Sequence, residues 1–315
     1  MTPAQSDHFN GKTFFNPGGS KVRGLRDVIR WRRTSHPVPW PERVEVAQRP
    51  VPEAPVPEGL AATWVGQSTF ILRGGSATIL TDPIFSERAS PLPWLGPRRV
   101  AAPGVALGAV PKVDLVLLSH DHYDHCDLPS LRELARRDQP QVVSPLGHRS
   151  LLEGAGLSRL VELDWWESRV LSPGLEVTLV PALHWSRRAP LGTNSRLWGG
   201  FMVRAGGRLA YFAGDSGYDA QLFAEIGRRC GAPDLAMIPI GAYEPRWFMS
   251  ETHMNPAEAV RVHRDVGARR SVAMHWGTFQ LTDEGREEPV RALREACGGD
   301  TPYFAVLQPG ESLQV

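Results

Sequence analysis

Four candidate metal ligands, His120, His122, Asp124 and His125, fall within the six positions His120-Asp121-His122-Tyr123-Asp124-His125, directly behind the apolar run Asp114 to Ser119. Residues two apart in extended chain face the same side, so His120 and His122 can grip one ion. Asp124 and His125 lie a turn further on, which suggests a second ion. Imidazole with carboxylate suits zinc and also iron or manganese, so the donor set narrows the metal without choosing it. Cys126 follows at once, but it reads as a small buried residue rather than a ligand.

Further His and Asp residues sit just past other strand-like runs. Val177 to Leu183 leads into His184, Arg208 to Ala213 leads through Gly214 into Asp215, and Arg270 to Met274 leads into His275. Loops at one edge of stacked sheets would bring these together. The expected sharing is one ion on His120, His122 and His184 and another on Asp124, His125 and His275, with Asp215 facing both. Three protein ligands and a bridge leave room for water. Two ions would lower its pKa from ~15.7 towards ~7 and steady the oxygens of a displacement, so the pattern reads as a hydrolase working through a metal-bridging hydroxide. Catalysis is assigned to Asp124 and Asp215 as the carboxylates of this site and to His253, which follows the loop Tyr243 to Met249. His253 would donate to an oxyanion or serve as acid for the leaving group. Asp82, Trp185 and Trp276 are candidate supports for the ligands, with turn former and core aromatics as their bland alternatives. His8, His36, His148 and His263 read as ordinary surface or core histidines.

The elements that must position these groups are short β-rich runs between turns. They are Ala62 to Trp64, Ser68 to Leu72, Ala77 to Thr81, Asp114 to Ser119, Leu175 to Leu183, Phe201 to Arg204, Arg208 to Ala213, Leu235 to Ile240 and Ser271 to Met274. Helical stretches interleave at Leu128 to Arg137, capped by Asp127, then Ala220 to Arg229, Pro256 to Val266 and Glu288 to Ala296. The Ala205-Gly206-Gly207 turn joins two runs as a hairpin, so the sheets are at least partly antiparallel. Residues 1–57 differ: a proline-rich stretch from Pro37 to Pro57 reads as an extended arm, and 58–315 as the catalytic domain. Within the arm, Lys21 to Arg33 carries six basic residues and one acid. Its Val22, Leu25, Val28 and Ile29 recur at helical spacing. Such a helix either lies on an anionic membrane surface or docks its apolar stripe on the protein.

Composition bounds the rest. The 315 residues, 42% hydrophobic and 22% charged, suit a globular protein with a sizeable core. Lys and Arg number 35 against 34 Asp and Glu, so no global field recruits nucleic acid. Heavy use of arginine, alanine, glycine and proline has a bacterial look. Cys126, Cys230 and Cys297 are too few and scattered for a disulfide framework. The N-terminus lacks the order of a signal peptide, and no apolar run nears the ~20 residues of a membrane span, so the cytoplasm is the expected location.

His120-x-His122-x-Asp124-His125 with His184, Asp215 and His275 resembles the metallo-β-lactamase superfamily of binuclear hydrolases. Within it the chain is similar to the group of phospholipases D that hydrolyse N-acylphosphatidylethanolamine. That likeness rests on Thr81 to Pro91, Ser119 to His125, Leu163 to Glu167, Phe212 to Tyr218, Ile238 to Met249 and Met274 to Phe279, with a weaker echo in Phe14 to Pro17 and Val28 to Trp31. The resemblance implies an α/β fold, a four-layer αβ/βα sandwich of mixed sheets, and two zinc ions on the ligands assigned above. It also implies cleavage of a phosphodiester in a lipid at a membrane face, commonly by a homodimer, releasing phosphatidate and an N-acylethanolamine. The arm departs most from the pattern, being shorter and more basic. Substrate contact is expected from Tyr123, from Arg246, and from Trp94 and Leu95 in the loop Ser86 to Arg99, where apolar and cationic groups mix.

Other readings compete. The same pair of ions attacks a lactone, amide or thioester carbonyl as readily, because fold does not fix substrate. A nuclease is disfavoured by the balanced charge. A membrane-surface binding protein with structural metals is disfavoured because structural zinc sites usually close with four protein ligands.

Overall fold

The computed structural model describes residues 6–19, 22–51, 59–189, 192–299, 301 and 303–315. Lys21 of the expected helix, Pro52, Pro55 and Pro57 of the proline-rich stretch, and the expected boundary after residue 57 lie outside the described residues.

Two seven-stranded sheets face each other. The first holds β1 (Leu60–Gly66), β2 (Thr69–Gly74), β3 (Ala77–Thr81), β4 (Leu115–Leu117), β5 (Gln141–Pro145) and β6 (Leu160–Leu163) in that order, with the C-terminal β14 (Ser312–Gln314) beside β1. The second runs from β7 (Ser168–Ser172) through β8 (Leu175–Val180), β9 (Gly200–Ala205), β10 (Arg208–Phe212), β11 (Leu235–Pro239) and β12 (Arg270–Met274) to β13 (Phe304–Ala305). Each sheet is half antiparallel, built of hairpins, and half parallel. Parallel neighbours need crossovers; in the first sheet the long loop 82–114 joins β3 to β4, α2 (Leu128–Arg137) lies between β4 and β5, and α3 (Arg149–Glu153) between β5 and β6. In the second sheet α4 (Ala220–Cys230), α5 (Arg246–Met249), α6 (Pro256–Asp265) and α7 (Glu288–Cys297) do this work. The hairpin at Ala205-Gly206-Gly207 is as expected.

Side-chain alternation builds the layers. Along β2 to β4, Phe70, Leu72, Ile79, Leu115 and Leu117 enter the main core with residues of the second sheet. Their neighbours Ile71, Leu80 and Val116 enter a separate cluster with Leu131 and Leu134 of α2 and Leu152 of α3. A period of two on a strand buried on both faces therefore places one sheet face against the partner sheet and the other against helices. The result is the expected four-layer αβ/βα sandwich.

Asp127 precedes α2 as expected, but its carboxylate makes no helix cap. It accepts instead from the Ser86 hydroxyl at 2.8 Å and backbone N–H at 3.2 Å, holding the loop after β3.

The helix of the N-terminal arm, α1 (Leu25–Thr34), buries no residue fully. It docks through one side: Trp31 stacks on Phe248 at 4.9 Å and donates to Asp283 at 3.2 Å, and Arg30 lies 4.5 Å over Trp247. Its other side leaves Leu25 76% and Ile29 43% exposed. The helix thus both docks on the protein and presents apolar groups outward. Upstream, Phe9 and Phe14 are buried in the main core.

Candidate metal centre

All candidate ligands leave the carboxyl ends of strands at one edge of the sandwich. Asp82 follows β3, His120 follows β4, His184 follows β8, Asp215 follows β10 and His275 follows β12. Two backbone features make the turns. Gly214 has φ +61°, and a Cβ there would stand 2.9 Å from the Ser119 Cβ, so glycine alone lets the chain swing Asp215 inward. His275 has φ +59° without being glycine. Such a conformation costs about 1–3 kcal/mol and persists where surroundings impose it; here the His275 N–H donates to the Gln67 carbonyl at 3.0 Å.

The ligand atoms fall into two clusters. In the first, His122 Nδ1 stands 2.9 Å from His120 Nε2 and 3.1 Å from His184 Nε2. In the second, Asp124 Oδ2 is 3.3 Å from His125 Nε2 and 3.1 Å from His275 Nε2. Asp215 Oδ2 lies 3.1 Å from His125 and 3.2 Å from His275, and 3.9 Å from both His120 and His184, so it faces the two clusters. A tetrahedral ion with bonds of about 2.0–2.1 Å separates its ligand atoms by about 3.3 Å. The observed spacings lie close to that value. Moreover, among the described residues, His125 Nε2 makes no well-aligned hydrogen bond despite the nearby carboxylates, and Asp215 Oδ1 has no partner. The groups aim at common points between them, and that is the arrangement of a cation site; the donor set fits two ions.

The rings of His120, His125 and His184 are oriented from behind, as ligating imidazoles require. His125 Nδ1 meets Asp82 Oδ2 at 2.6 Å. Asp82 also takes the Ser119 N–H at 2.7 Å and hydroxyl at 2.5 Å, and the hydroxyl lies 2.9 Å from His120 Nδ1. One buried carboxylate therefore fixes a ligand in each cluster. His184 Nδ1 donates to the Thr252 carbonyl at 3.0 Å. Asp121 points away from the two clusters, accepting from Arg196 at 2.9 Å and the Arg187 N–H at 2.9 Å. Gln67 went unnoticed in the sequence; its Nε2 donates to Asp124 Oδ2 at 3.0 Å. No periodicity or residue type marks it, only its place in a tight turn.

The two halves differ in charge. Burial, reinforced by the surrounding imidazoles, holds His120 well below its ordinary range; burial also holds His184 well below. Both offer neutral lone pairs. Burial opposes charge on His125 and His275 too, but Asp215 and Asp124 outweigh it, raising His125 well above its usual range and His275 to about 9. The carboxylate-rich half therefore draws positive charge into a buried place, which a metal ion would supply instead of protons.

A cavity of about 340 Å³ opens onto this centre. Tyr123, Trp185 and His253 line it beside His122, Asp124, Asp215 and His275. Val22, Val28 and Trp31 of the arm and Phe248, Met249 and Leu281 of the domain line it as well. His253 stands 3.9 Å from Asp215 Oδ2, and burial lowers its pKa to about 4. Tyr123 donates its hydroxyl to the Arg188 carbonyl at 2.6 Å and presents its ring.

Three expected substrate residues are placed otherwise. Arg246 is not among the residues lining the cavity; its guanidinium pairs with Glu258 at 2.8 Å and donates to the His253 carbonyl at 2.9 Å, so it braces His253. Trp94 and Leu95 do not line the cavity either and stand 72% and 61% exposed on their loop. Trp185 packs edge-on against His122 at 4.6 Å, whereas Trp276 stacks on Trp64 as a core aromatic. Cys126 is fully buried, with its thiol pushed up to about 12 by burial. His8, His148 and His263 bond to Asp164, the Pro145 carbonyl and Ser271, and His36 is exposed, as ordinary histidines would be.

Comparison with known proteins matches residues 77–276 to the β-lactamase superfamily domain. The chain is 37% identical over 305 residues to N-acyl-phosphatidylethanolamine-hydrolyzing phospholipase D 1 of Caenorhabditis elegans, covering 91% of this chain and 85% of that protein. A mitochondrial phospholipase D of the same name from Saccharomyces cerevisiae is 38% identical over 236 residues, covering 73% of this chain and 50% of that one. A metallo hydrolase of the archaeon Ignicoccus hospitalis shares the fold, with a TM-score of 0.62 at 23% identity over 82% of this chain and 98% of that one.

Proposed function

The chain belongs to the metallo-β-lactamase superfamily and is a metal-dependent hydrolase, and from that premise we propose that it cleaves a phosphodiester in a lipid, releasing N-acylethanolamine and phosphatidate from N-acylphosphatidylethanolamine. The observation that carries this reading is the cavity, which joins a ligand cluster to an apolar wall contributed partly by α1. A small lactone without an acyl chain would have no use for that wall. Likeness to the worm enzyme over most of both chains supports the same substrate class.

In this reading His120, His122 and His184 hold one zinc ion, Asp124, His125 and His275 the other, and Asp215 faces both; iron or manganese would suit the same donors. When bound, the ions supply an activated water and stabilise charge on the phosphoryl oxygens. The chain does the rest. Asp82 and Ser119 keep the rings of His125 and His120 aimed. His253, braced by Arg246, holds an imidazole beside Asp215 that donates a hydrogen bond to a substrate oxygen. Val28, Trp31, Phe248 and Met249 receive an apolar tail and exclude water around it.

The same reading makes the protein peripheral at a membrane. No helix among the described residues is long and apolar enough to cross one. Leu25, Ile29, Trp94 and Leu95 are exposed, and Arg26, Arg30, Arg32 and Arg33 are exposed on or beside α1. Apolar groups amid cations suit an anionic lipid surface. A homodimer belongs to this reading too, and sedimentation would read it directly.

The decisive experiment gives metal-loaded protein N-acylphosphatidylethanolamine in mixed micelles and, separately, a lactone. Mass spectrometry should find N-acylethanolamine, lost on chelation and restored by metal. Turnover of the lactone with no N-acylethanolamine would refute the phosphodiesterase.

A further inference from the structure

Asn16 comes from the arm, yet it is buried at 5% exposure and reaches across the fold to a candidate metal ligand. Its Nδ2 donates to the backbone carbonyl of His184 at 2.8 Å, and its Oδ1 accepts from the Trp198 indole N–H at 3.2 Å. The same indole N–H lies 2.9 Å from the Ala182 carbonyl, two residues before His184. His184 sits four residues past the end of β8, so the strand ladder no longer fixes it. Its ring is tied through Nδ1 to Thr252, while its backbone is tied to Asn16.

The mount of Asn16 is firm. Phe9 and Phe14 are buried in the main core, and the Phe14 N–H donates to the Asn194 carbonyl at 2.8 Å. His8 lies between Asp164 at 2.7 Å and Asp7 at 2.6 Å and stacks on Trp165 at 4.4 Å. Asn194 in turn bonds to Ser186, its N–H donating to the Ser186 carbonyl at 2.7 Å and its side-chain Oδ1 accepting from the Ser186 N–H at 3.2 Å, so this segment grips the loop after His184 as well as His184 itself.

We propose that Asn16 is a positioning residue of the metal centre, holding the backbone of His184 so that its imidazole completes the cluster with His120 and His122. The proposal rests on those three histidines holding an ion. It gives the N-terminal segment a part in metal binding that is separate from any contact α1 makes with lipid.

Asn16→Asp tests it at constant shape. The variant keeps an acceptor for Trp198 and sets a carboxylate oxygen where the donor to His184 stood. Metal binding is titrated in the full-length protein with zinc against a chromophoric chelator, and with cobalt by its visible absorption, beside the wild type and His184→Ala. The equivalent that His184→Ala loses should bind about 10–100-fold more weakly in Asn16→Asp, the range for removing a ligand's support, with the other equivalent unchanged. The cobalt spectrum of that one equivalent should shift. Wild-type affinity for both equivalents overturns the proposal. So does equal weakening of both with a lower Tm of the metal-free protein, because that is the mark of a merely structural residue. If His184→Ala loses no equivalent, the ligand assignment itself fails and the proposal falls with it. Should Asn16→Asp not fold, Asn16→Ala, which removes the donor without burying a charge, is read by the same comparison.

Discussion

Replacing Asp82 by Asn changes no volume, yet it should cost the centre much of its metal. The carboxylate is fully buried and makes three contacts, with His125 Nδ1 at 2.6 Å, the Ser119 hydroxyl at 2.5 Å and the Ser119 N–H at 2.7 Å. An amide retains one acceptor, which the Ser119 N–H can keep. Its NH₂ then takes the place of Oδ2, which faces both His125 Nδ1 and the Ser119 hydroxyl, and an N–H facing Nδ1 forces the proton to Nε2, the atom that must carry the ligand's lone pair. Loss of such a support typically weakens metal binding about 10–100-fold, or about 1.4–2.7 kcal/mol. Because Ser119 passes the effect on to His120, both equivalents should weaken, unlike the selective loss expected for Asn16→Asp. Chelator competition on the folded variant reads this directly, and activity should return at high metal concentration. Wild-type affinity in Asp82→Asn would show that the contacts do not orient the ligands.

Asp215→Asn removes the carboxylate whose Oδ2 faces both clusters, and turnover of any substrate, lipid or lactone, should fall by more than the ~100-fold that a supporting residue alone accounts for. Gly214→Ala combines φ +61° with a Cβ 2.9 Å from Ser119 and 3.0 Å from the Gly199 carbonyl, so a loss of about 1–3 kcal/mol is expected in denaturant titration. For His8, burial opposes charge but Asp164 and Asp7 outweigh it, so its pKa is raised, whereas His8 holds Asp164 below the usual carboxylate range against the effect of burial. The raised His8 contributes stability that is complete below about pH 6.5 and is lost as pH rises through its folded value. The depressed Asp164 contributes stability present above about pH 3.9 and lost as pH falls. Denaturation midpoints of His8→Asn should therefore approach the wild type at alkaline pH and fall short of it near pH 5; a gap that does not change with pH would refute the pairing. Leu25→Glu with Ile29→Glu should abolish sedimentation with anionic vesicles while turnover of a soluble substrate persists, and unchanged vesicle binding would remove α1 from the membrane face. Deleting residues 1–33 cannot serve for that test, because it also removes Phe9, Phe14 and Asn16 from the interior.

The parts of this molecule that a reader of the sequence can see are those where residue type and spacing repeat a physical constraint. β3 and α2 fall where expected because a short β-branched run between turns, and an apolar stripe behind Asp127 and Pro129, each have few other ways to bury themselves. The histidines and aspartates of the centre stand out because they are chemically distinctive and follow apolar strands. β5 and β6 were not expected, although Val142-Val143 carries the mark of a β-branched run; the other hidden parts lack it. β7 is a polar edge strand with little alternation, and β13 and β14 have two and three residues, so pairing with neighbours far along the chain creates them. Arg246 looks like a substrate cation in sequence, but only the fold places Glu258 and the His253 carbonyl against it.

Gln67, Thr252 and Asn16 illustrate a deeper limit. Each acts on a ligand through a carbonyl or amide that any sequence possesses in abundance, and each does so from a distant part of the chain. A ligand must be one of a few residue types because its donor atom is chosen by the metal. A residue that holds the ligand needs only a hydrogen bond in the right place, and many types can supply that. The ligands of such a centre are therefore written in composition, while the forces that give it affinity are written in topology. His184 shows the difference: its identity is legible from the end of an apolar strand, but its position depends on an asparagine 168 residues away. If the selective loss expected in Asn16→Asp is observed, the N-terminal segment is part of the metal centre, although its composition reads only as an arm.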